Sequence, residues 1–461
     1  MNGKLQLLAA QLLAFLCSAI IFTGSPTLLA QETNADSVDI EDREDSVVFS
    51  GRTMGPIQYR VVVARSSRNP TLDDAAKSKI AAAIESELSM VNSLMSTYVP
   101  SSDVSKFNRF EQVNQWFPVD LKTATVVNLA QTHAANSEGA FDITVGPLVN
   151  LWSFGSDQRT RTIPDKEDIA AALAKVGYQN LEVRIEPPAL LKKIPAMEID
   201  LSAIAKGWAV DRVALALSES GSSDFLVDVG GEVRSGGMKA GDTAWMVGVI
   251  EPPPGKNSVY QKVEMGLDQS IATSGDYQNF FVVDGTMYSH TIDPKTGWPV
   301  EHGLASVSII TEACFNADAA ATAVSVLGPA AGIEYCEQYG FEYLMIERLE
   351  DGEFKEYRSD GFAVTTAQSS SDSVPASKGL LSLFLGALVV TLLVVAGMAV
   401  GVIFGRERIK GSCGGIASMD QGSVSPECSL CSQPTDECAD LKKEIKRRQA
   451  ERAMQEQGSD S

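Results

Sequence analysis

Apolar residues recur along most of this chain with the periods of helices and strands, and one segment lacks polar punctuation altogether. Ile80, Ile84, Leu88, Val91 and Met95 step by three or four, which predicts a helix with one buried stripe. Thr71 with Asp74 resembles a capping box at its start, and Ser96-Thr97-Tyr98 ends it. A second helix is predicted over Leu121 to Asn136, and a third over Ala317 to Leu327, stopped by Gly328-Pro329. Strands are predicted near Gln58 to Ala64, over Phe225 to Val233 closing on Gly230-Gly231, and over Trp245 to Ile250. Leu304 to Ile310 alternates small or polar with apolar residues, as a half-buried strand does. Strands and helices are interspersed without a strict strand-helix repeat, so the expected fold class is α+β. Residues 380–404 hold no charge at all. Crossing the hydrocarbon core takes about 20 apolar residues, so this run predicts one transmembrane helix.

The span divides the chain into parts that meet different solvents. Residues 1–30 read as a signal peptide or a signal anchor: Lys4, an apolar stretch from Leu5 to Phe22, then Thr27-Leu28-Leu29-Ala30 as a cleavage site. Residues 31–49 are acidic and aperiodic and read as a linker, and residues 366–379 read as a Ser-rich linker. Arg406, Arg408 and Lys410 follow the span at once, and Lys442, Lys443, Lys446, Arg447 and Arg448 lie further on. Positive charge favours the cytoplasmic side, so the C-terminal tail is expected there and the large domain on the periplasmic face of the inner membrane. Gly397, Gly401 and Gly405 make a small-residue stripe, suited to a helix partner or simply a product of glycine's frequency in membrane helices. The formal net charge of -21, from 38 Lys+Arg against 59 Asp+Glu, argues against binding a nucleic acid backbone. It fits a role in solubility.

Several short segments carry chemistry. Asp318 and Thr322 are one helical turn apart and face the same way, a hard-oxygen pair of the kind that holds Mg²⁺. Such pairs also occur on solvated faces. His290, one of only 3 histidines, opens His290-Thr291-Ile292-Asp293-Pro294-Lys295-Thr296-Gly297. It is a candidate proton acceptor, although the same residues compose a turn with a capping histidine. Asp200 to Gly207 holds one acid and one base, and Ala203 within it has a carbonyl to offer a cation. Val229-Gly230-Gly231 and Thr273-Ser274-Gly275-Asp276 are glycine turns able to bind anions through backbone N–H groups. No Walker A loop or dinucleotide fingerprint is present.

Taken in order, the segments Thr53-Met54-Gly55, Ser96-Thr97-Tyr98, Gly139 to Pro147, Asp200 to Gly207, His290 to Gly297 and Ala317-Asp318 with Thr322 resemble the ApbE family, flavin transferases that move FMN from FAD onto a protein threonine. The resemblance covers residues 50–365. It implies that Met54, Tyr98, Ala140, Phe141, Asp142, Asp200, Lys206 and Ile292 line a site for FAD as substrate. It also implies that Asp318, Thr322 and the Ala203 carbonyl hold Mg²⁺, and that His290 is the general base. Some members carry a second acid just before the final threonine, where Ala321 stands here. Other readings of the chain are a flavin-binding or FAD-hydrolysing protein without transfer, and an electron carrier with flavin outside and iron–sulfur inside.

In the tail, residues 405–461, Cys413, Cys428, Cys431 and Cys438 form a C-x14-C-x2-C-x6-C pattern. In a reducing compartment such cysteines read as metal ligands, for zinc or iron alike. The junction from Gly397 to Gly415 is similar to NqrM, a membrane protein needed to mature the Na⁺-translocating NADH:quinone reductase. That resemblance implies iron at the four cysteines and, as partners, flavin-acceptor subunits of that reductase. Cys314 and Cys336, in the exported domain, are expected to be buried free thiols rather than a disulfide.

Overall fold

The computed structural model describes residues 38–365 apart from 157–159, 253–257, 350 and 363. These lie within the first of two units, Met1–Ser370. The second, Ser371–Ser461, contains the predicted span and Cys413, Cys428, Cys431 and Cys438, all outside the described residues, as is the predicted signal at 1–30. No described helix is long and apolar enough to cross a membrane.

The strands are β1 (Asp39–Asp42), β2 (Ser46–Thr53), β3 (Ile57–Ala64), β4 (Phe117–Pro118), β5 (Leu181–Ile185), β6 (Pro188–Lys192), β7 (Phe225–Val229), β8 (Glu232–Gly236), β9 (Trp245–Ile250), β10 (Val259–Met265), β11 (Ser270–Gly275), β12 (Phe280–Val283), β13 (Thr286–Ser289), β14 (Leu304–Thr311), β15 (Glu342–Arg348), β16 (Phe354–Arg358) and β17 (Val364–Thr365). Nine form one sheet in the order β1-β2-β3-β7-β8-β11-β14-β15-β16. Every neighbouring pair in it is antiparallel, which suits the α+β reading and rules out a doubly wound sheet.

Four longer helices, α1 (Asp74–Met95), α2 (Leu121–Asn136), α3 (Ser202–Glu219) and α4 (Cys314–Tyr339), join the main core with one face of this sheet. Ile80, Ile84, Leu88, Val91 and Met95 of α1 are all buried there, each burial contributing roughly 1.5–3 kcal/mol. The other face of the sheet packs Val48, Val62, Val233, Ile271, Ile310 and Leu344 against Trp245, Val249, Val263 and Met265 of β9 and β10. A third, aromatic cluster gathers Trp152, Phe281, Ile292, Tyr288 and Trp298 beside the β12–β13 hairpin.

Five expectations need correction. The linker assigned to residues 31–49 contains β1 and the first half of β2, because Val47, Val48 and Phe49 are core residues that the acidic surroundings conceal. The cap of α1 is Asp73, whose carboxylate accepts from Ala76 N at 2.8 Å, not Thr71 with Asp74. Phe225 to Val233 is a hairpin, since Gly230 and Gly231 both adopt positive φ and reverse the chain between β7 and β8. Strand β14 is buried along seven of its eight residues, because layers cover both sheet faces. Finally, α4 continues past Leu327 to Tyr339. Gly328, at φ 75°, makes a kink and Pro329 restarts the helix, as proline suits a first helical position. Cys314 and Cys336 are buried and free, and burial pushes both thiols up, so neither is a reactive thiolate.

Candidate active site

The centre of the site forms where α3 and α4 touch. A Cβ on Gly207 of α3 would lie 2.5 Å from the Cys314 carbonyl oxygen, so only glycine allows this approach. Contact at that point brings Asp318 of α4 against the first turn of α3. Asp318 Oδ2 accepts from Gly207 N at 2.9 Å. A regular helix would direct that same N–H to the carbonyl of Ala203, four residues earlier. Asp318 Oδ1 lies 3.4 Å from Lys206 Nζ, a long contact that leaves its lone pairs largely uncommitted. The Lys206 ammonium is held more closely by Glu232, the first residue of β8. Burial works against the charge on Lys206, but Asp318 and Glu232 outweigh it and raise its pKa. Burial pushes the Glu232 carboxyl up to about 7 despite the ammonium beside it.

These groups line a cavity of about 300 Å³, within the usual range for small-molecule sites. Ala140, Phe141, Asp142, Asp200, Ala203, Lys206, His290, Ile292, Asp318 and Thr322 all border it, so ten of the residues singled out in the sequence converge on one space. Met54 and Tyr98 line a second, apolar cavity of about 150 Å³ instead. Asp200, Ser202 and Lys206 border both cavities, which therefore adjoin along α3. Tyr98 is 66% exposed, an aromatic ring presented to solvent. Ser102 and Ser105 fix its loop by donating to the carbonyls of Ser96 and Thr97.

His290 follows directly on β13. Its Nδ1 stands 3.1 Å from the Asn279 carbonyl oxygen. A carbonyl only accepts, so Nδ1 carries the proton and Nε2 keeps a free lone pair. Burial lowers the pKa of His290, the Asn279 carbonyl partly restores it, and the charge of Lys206 lowers it further. The ring is thus neutral near pH 7. Arg161 braces this corner by donating to the Phe280 carbonyl and the Asn279 side chain.

Asp142 borders the cavity and also organises its own loop, with Oδ1 accepting from Thr144 N and Oγ1 and Oδ2 from Tyr178 N. Of the two glycine segments, Gly230 N donates to the Gln58 carbonyl and Gly231 N to Asp228, while Thr273 to Gly275 is the end of β11 rather than a turn and borders the cavity.

Asp318 offers Oδ1, and no hydrogen bond of the Thr322 hydroxyl occurs among the described residues, whereas Ser325 in the same helix gives its hydroxyl to the Ala321 carbonyl. A carboxylate and a hydroxyl on one cavity that Ala203 also borders suit a hard divalent cation. Sequence reasoning missed Glu232 and Asn279. Glu232 reads as an ordinary surface residue after a Gly-Gly turn, and Asn279 acts through its backbone, which no sequence motif records.

The model of the ApbE family matches residues 56–345, and that of (Na+)-NQR maturation NqrM matches residues 402–451. The FAD:protein FMN transferase of Vibrio cholerae serotype O1 is 39% identical over 322 residues, covering 70% of this chain and 93% of the relative. That of Escherichia coli strain K12 is 34% identical over 351 residues, covering 76% and 95%. Among solved structures, flavin transferase ApbE from Vibrio cholerae is 37% identical with a TM-score of 0.62, covering 70% of this chain and 99% of that one. The apo form of Pseudomonas stutzeri flavinyl transferase ApbE is 34% identical with a TM-score of 0.61, covering 70% and 95%. A likeness that spans nearly the whole of each relative, with most of the sequence segments meeting at one cavity, has one meaning: this chain belongs to the ApbE family and is an enzyme of the FAD:protein FMN transferase class.

Proposed function

We propose that this chain transfers FMN from FAD onto a threonine hydroxyl of a target protein in a Mg²⁺-dependent reaction that releases AMP. The observation that carries this reading is the His290 imidazole, anchored through Nδ1 at 3.1 Å from the Asn279 carbonyl so that Nε2 is left for the reaction, on the same cavity as Asp318 and Thr322. Asp318, Thr322 and the Ala203 carbonyl would hold the cation, which supplies charge neutralisation at the pyrophosphate. His290 Nε2 takes the proton of the threonine hydroxyl, a poor nucleophile while neutral. The hydroxyl oxygen forms a bond to the phosphorus of the FMN half. The bond from that phosphorus to the bridging oxygen breaks, and AMP leaves with the electron pair. Ala140, Phe141, Asp200 and Ile292 border the flavin dinucleotide's cavity, with Met54 and Tyr98 beside the adjoining one.

The test is incubation with FAD, Mg²⁺ and a threonine-bearing acceptor peptide, read by in-gel flavin fluorescence. A fluorescent band that disappears with EDTA, and falls at least about 100-fold in Asp318→Ala, is the expected result. FAD consumption without labelled acceptor would instead favour a hydrolase or flavin binder.

The reading extends to the rest of the chain. Residues 380–404 anchor the enzyme in the inner membrane with the catalytic domain on the periplasmic side, the direction favoured by the positive charges after the span. The match to (Na+)-NQR maturation NqrM supports subunits of the Na⁺-translocating NADH:quinone reductase as acceptors, and iron at Cys413, Cys428, Cys431 and Cys438 of a cytoplasmic tail. One membrane position for both activities raises their effective concentration at a shared target. Full-length chain purified without oxygen is expected to contain iron that Cys428→Ser with Cys431→Ser removes; zinc alone would overturn the assignment.

A further inference from the structure

We propose that Glu232 is a positioning residue for the cation site: by holding the Lys206 ammonium, it sets how much of the Asp318 charge remains for a divalent ion. The inference rests on the reading of Asp318 as a cation ligand. Glu232 is 4% exposed and borders the main cavity. Its Oε1 accepts from Lys206 Nζ, while Oε2 is buried with no hydrogen-bond partner among the described residues. A buried carboxylate oxygen without a partner is costly, so its retention in this position calls for a use. The same ammonium reaches Asp318 Oδ1 at 3.4 Å, and Asp318 cannot turn away because Gly207 N holds its other oxygen.

One ammonium therefore lies between two carboxylates whose needs conflict. Drawn fully onto Asp318, it would neutralise that carboxylate and repel an incoming cation across a few ångströms of partly desolvated space. Drawn onto Glu232, it leaves Oδ1 of Asp318 open. The unpartnered Oε2 gives Glu232 the capacity to take the ammonium on both oxygens, so Lys206 can leave Asp318 without becoming an unpaired buried charge. The carboxylate and the lysine stem run side by side past Gly230, where an added Cβ would lie 3.6 Å from Oε2 and 3.9 Å from Lys206 Cδ.

The experiment is Mn²⁺ binding by electron paramagnetic resonance on the full chain without FAD or acceptor, so that Lys206 bears on the ion alone. Glu232→Gln is expected to weaken Mn²⁺ binding by roughly tenfold or more, since Lys206 then settles on Asp318. The double variant Lys206→Met with Glu232→Gln is expected to return to within about threefold of wild type, because the competing ammonium is gone. Damage to folding would not be repaired by a second substitution. Wild-type Mn²⁺ affinity in Glu232→Gln, or a double variant as weak as the single one, overturns the proposal. Absence of Mn²⁺ binding in the wild type overturns the cation reading of Asp318 and this inference with it.

Discussion

His290→Ala is expected to lower FMN transfer by about three orders of magnitude, the usual scale for losing a well-placed general base, while FAD still binds. Binding should survive because the imidazole is one of many groups around the cavity, and its own anchor is the Asn279 carbonyl rather than a group proposed to hold the dinucleotide. The pH profile supplies an independent check. The base works only as the neutral ring, and burial together with Lys206 shifts His290 below the ordinary histidine value. Transfer should therefore rise with pH through an apparent pKa below about 6.5 and be flat across neutrality, as far as this group governs it. FAD fluorescence quenching measures binding and in-gel fluorescence measures transfer. Undiminished turnover in the variant would remove His290 from the mechanism, and an inflection well above neutrality would point to a different base.

Gly207→Ala separates local preference from tertiary demand. Helix propensity alone predicts a gain of about 1 kcal/mol, since glycine is a poor residue inside a helix. The contact between α3 and α4 predicts the opposite sign. The new Cβ would meet the Cys314 carbonyl oxygen at 2.5 Å, its carbon at 2.7 Å and Phe315 Cα at 2.8 Å, all backbone atoms that cannot rotate aside. Parting the helices costs about 1–3 kcal/mol by overpacking, and it also breaks the hold of Gly207 N on Asp318. We expect a lower thermal midpoint and a loss of Mg²⁺-dependent transfer in the same variant. An unchanged or raised midpoint with normal metal dependence would show that the two helices adapt.

The sequence was most legible where one element meets one environment. Helix α2 and strand β9 have the limits that periodicity suggested, Leu121–Asn136 and Trp245–Ile250, and α1 buries the stripe read from its spacing. It misled where burial comes from two sides. Seven residues of β14 are buried although their alternation suggested one wet face, because a second small sheet covers what would otherwise be the solvent side. Gly328-Pro329 reads locally as a stop, yet the helix resumes, since a glycine with positive φ turns the chain by a kink and proline is well suited to start the next segment.

For the site, residue types and their order along the chain were enough to nominate His290, Asp318, Thr322 and the acid-base segment from Asp200 to Lys206, since acid, base and hard-oxygen chemistry is written in side chains. What no local pattern could supply was the pairing between distant segments. That Lys206 lies between Glu232 and Asp318, that the Asn279 carbonyl selects the tautomer of His290, and that Tyr98 stands over a cavity of its own follow from strands, helices and the β12–β13 hairpin closing on one another. Charge sharing and tautomer choice depend on distances of about 3 Å, and such distances exist only once packing has brought together groups far apart in the chain.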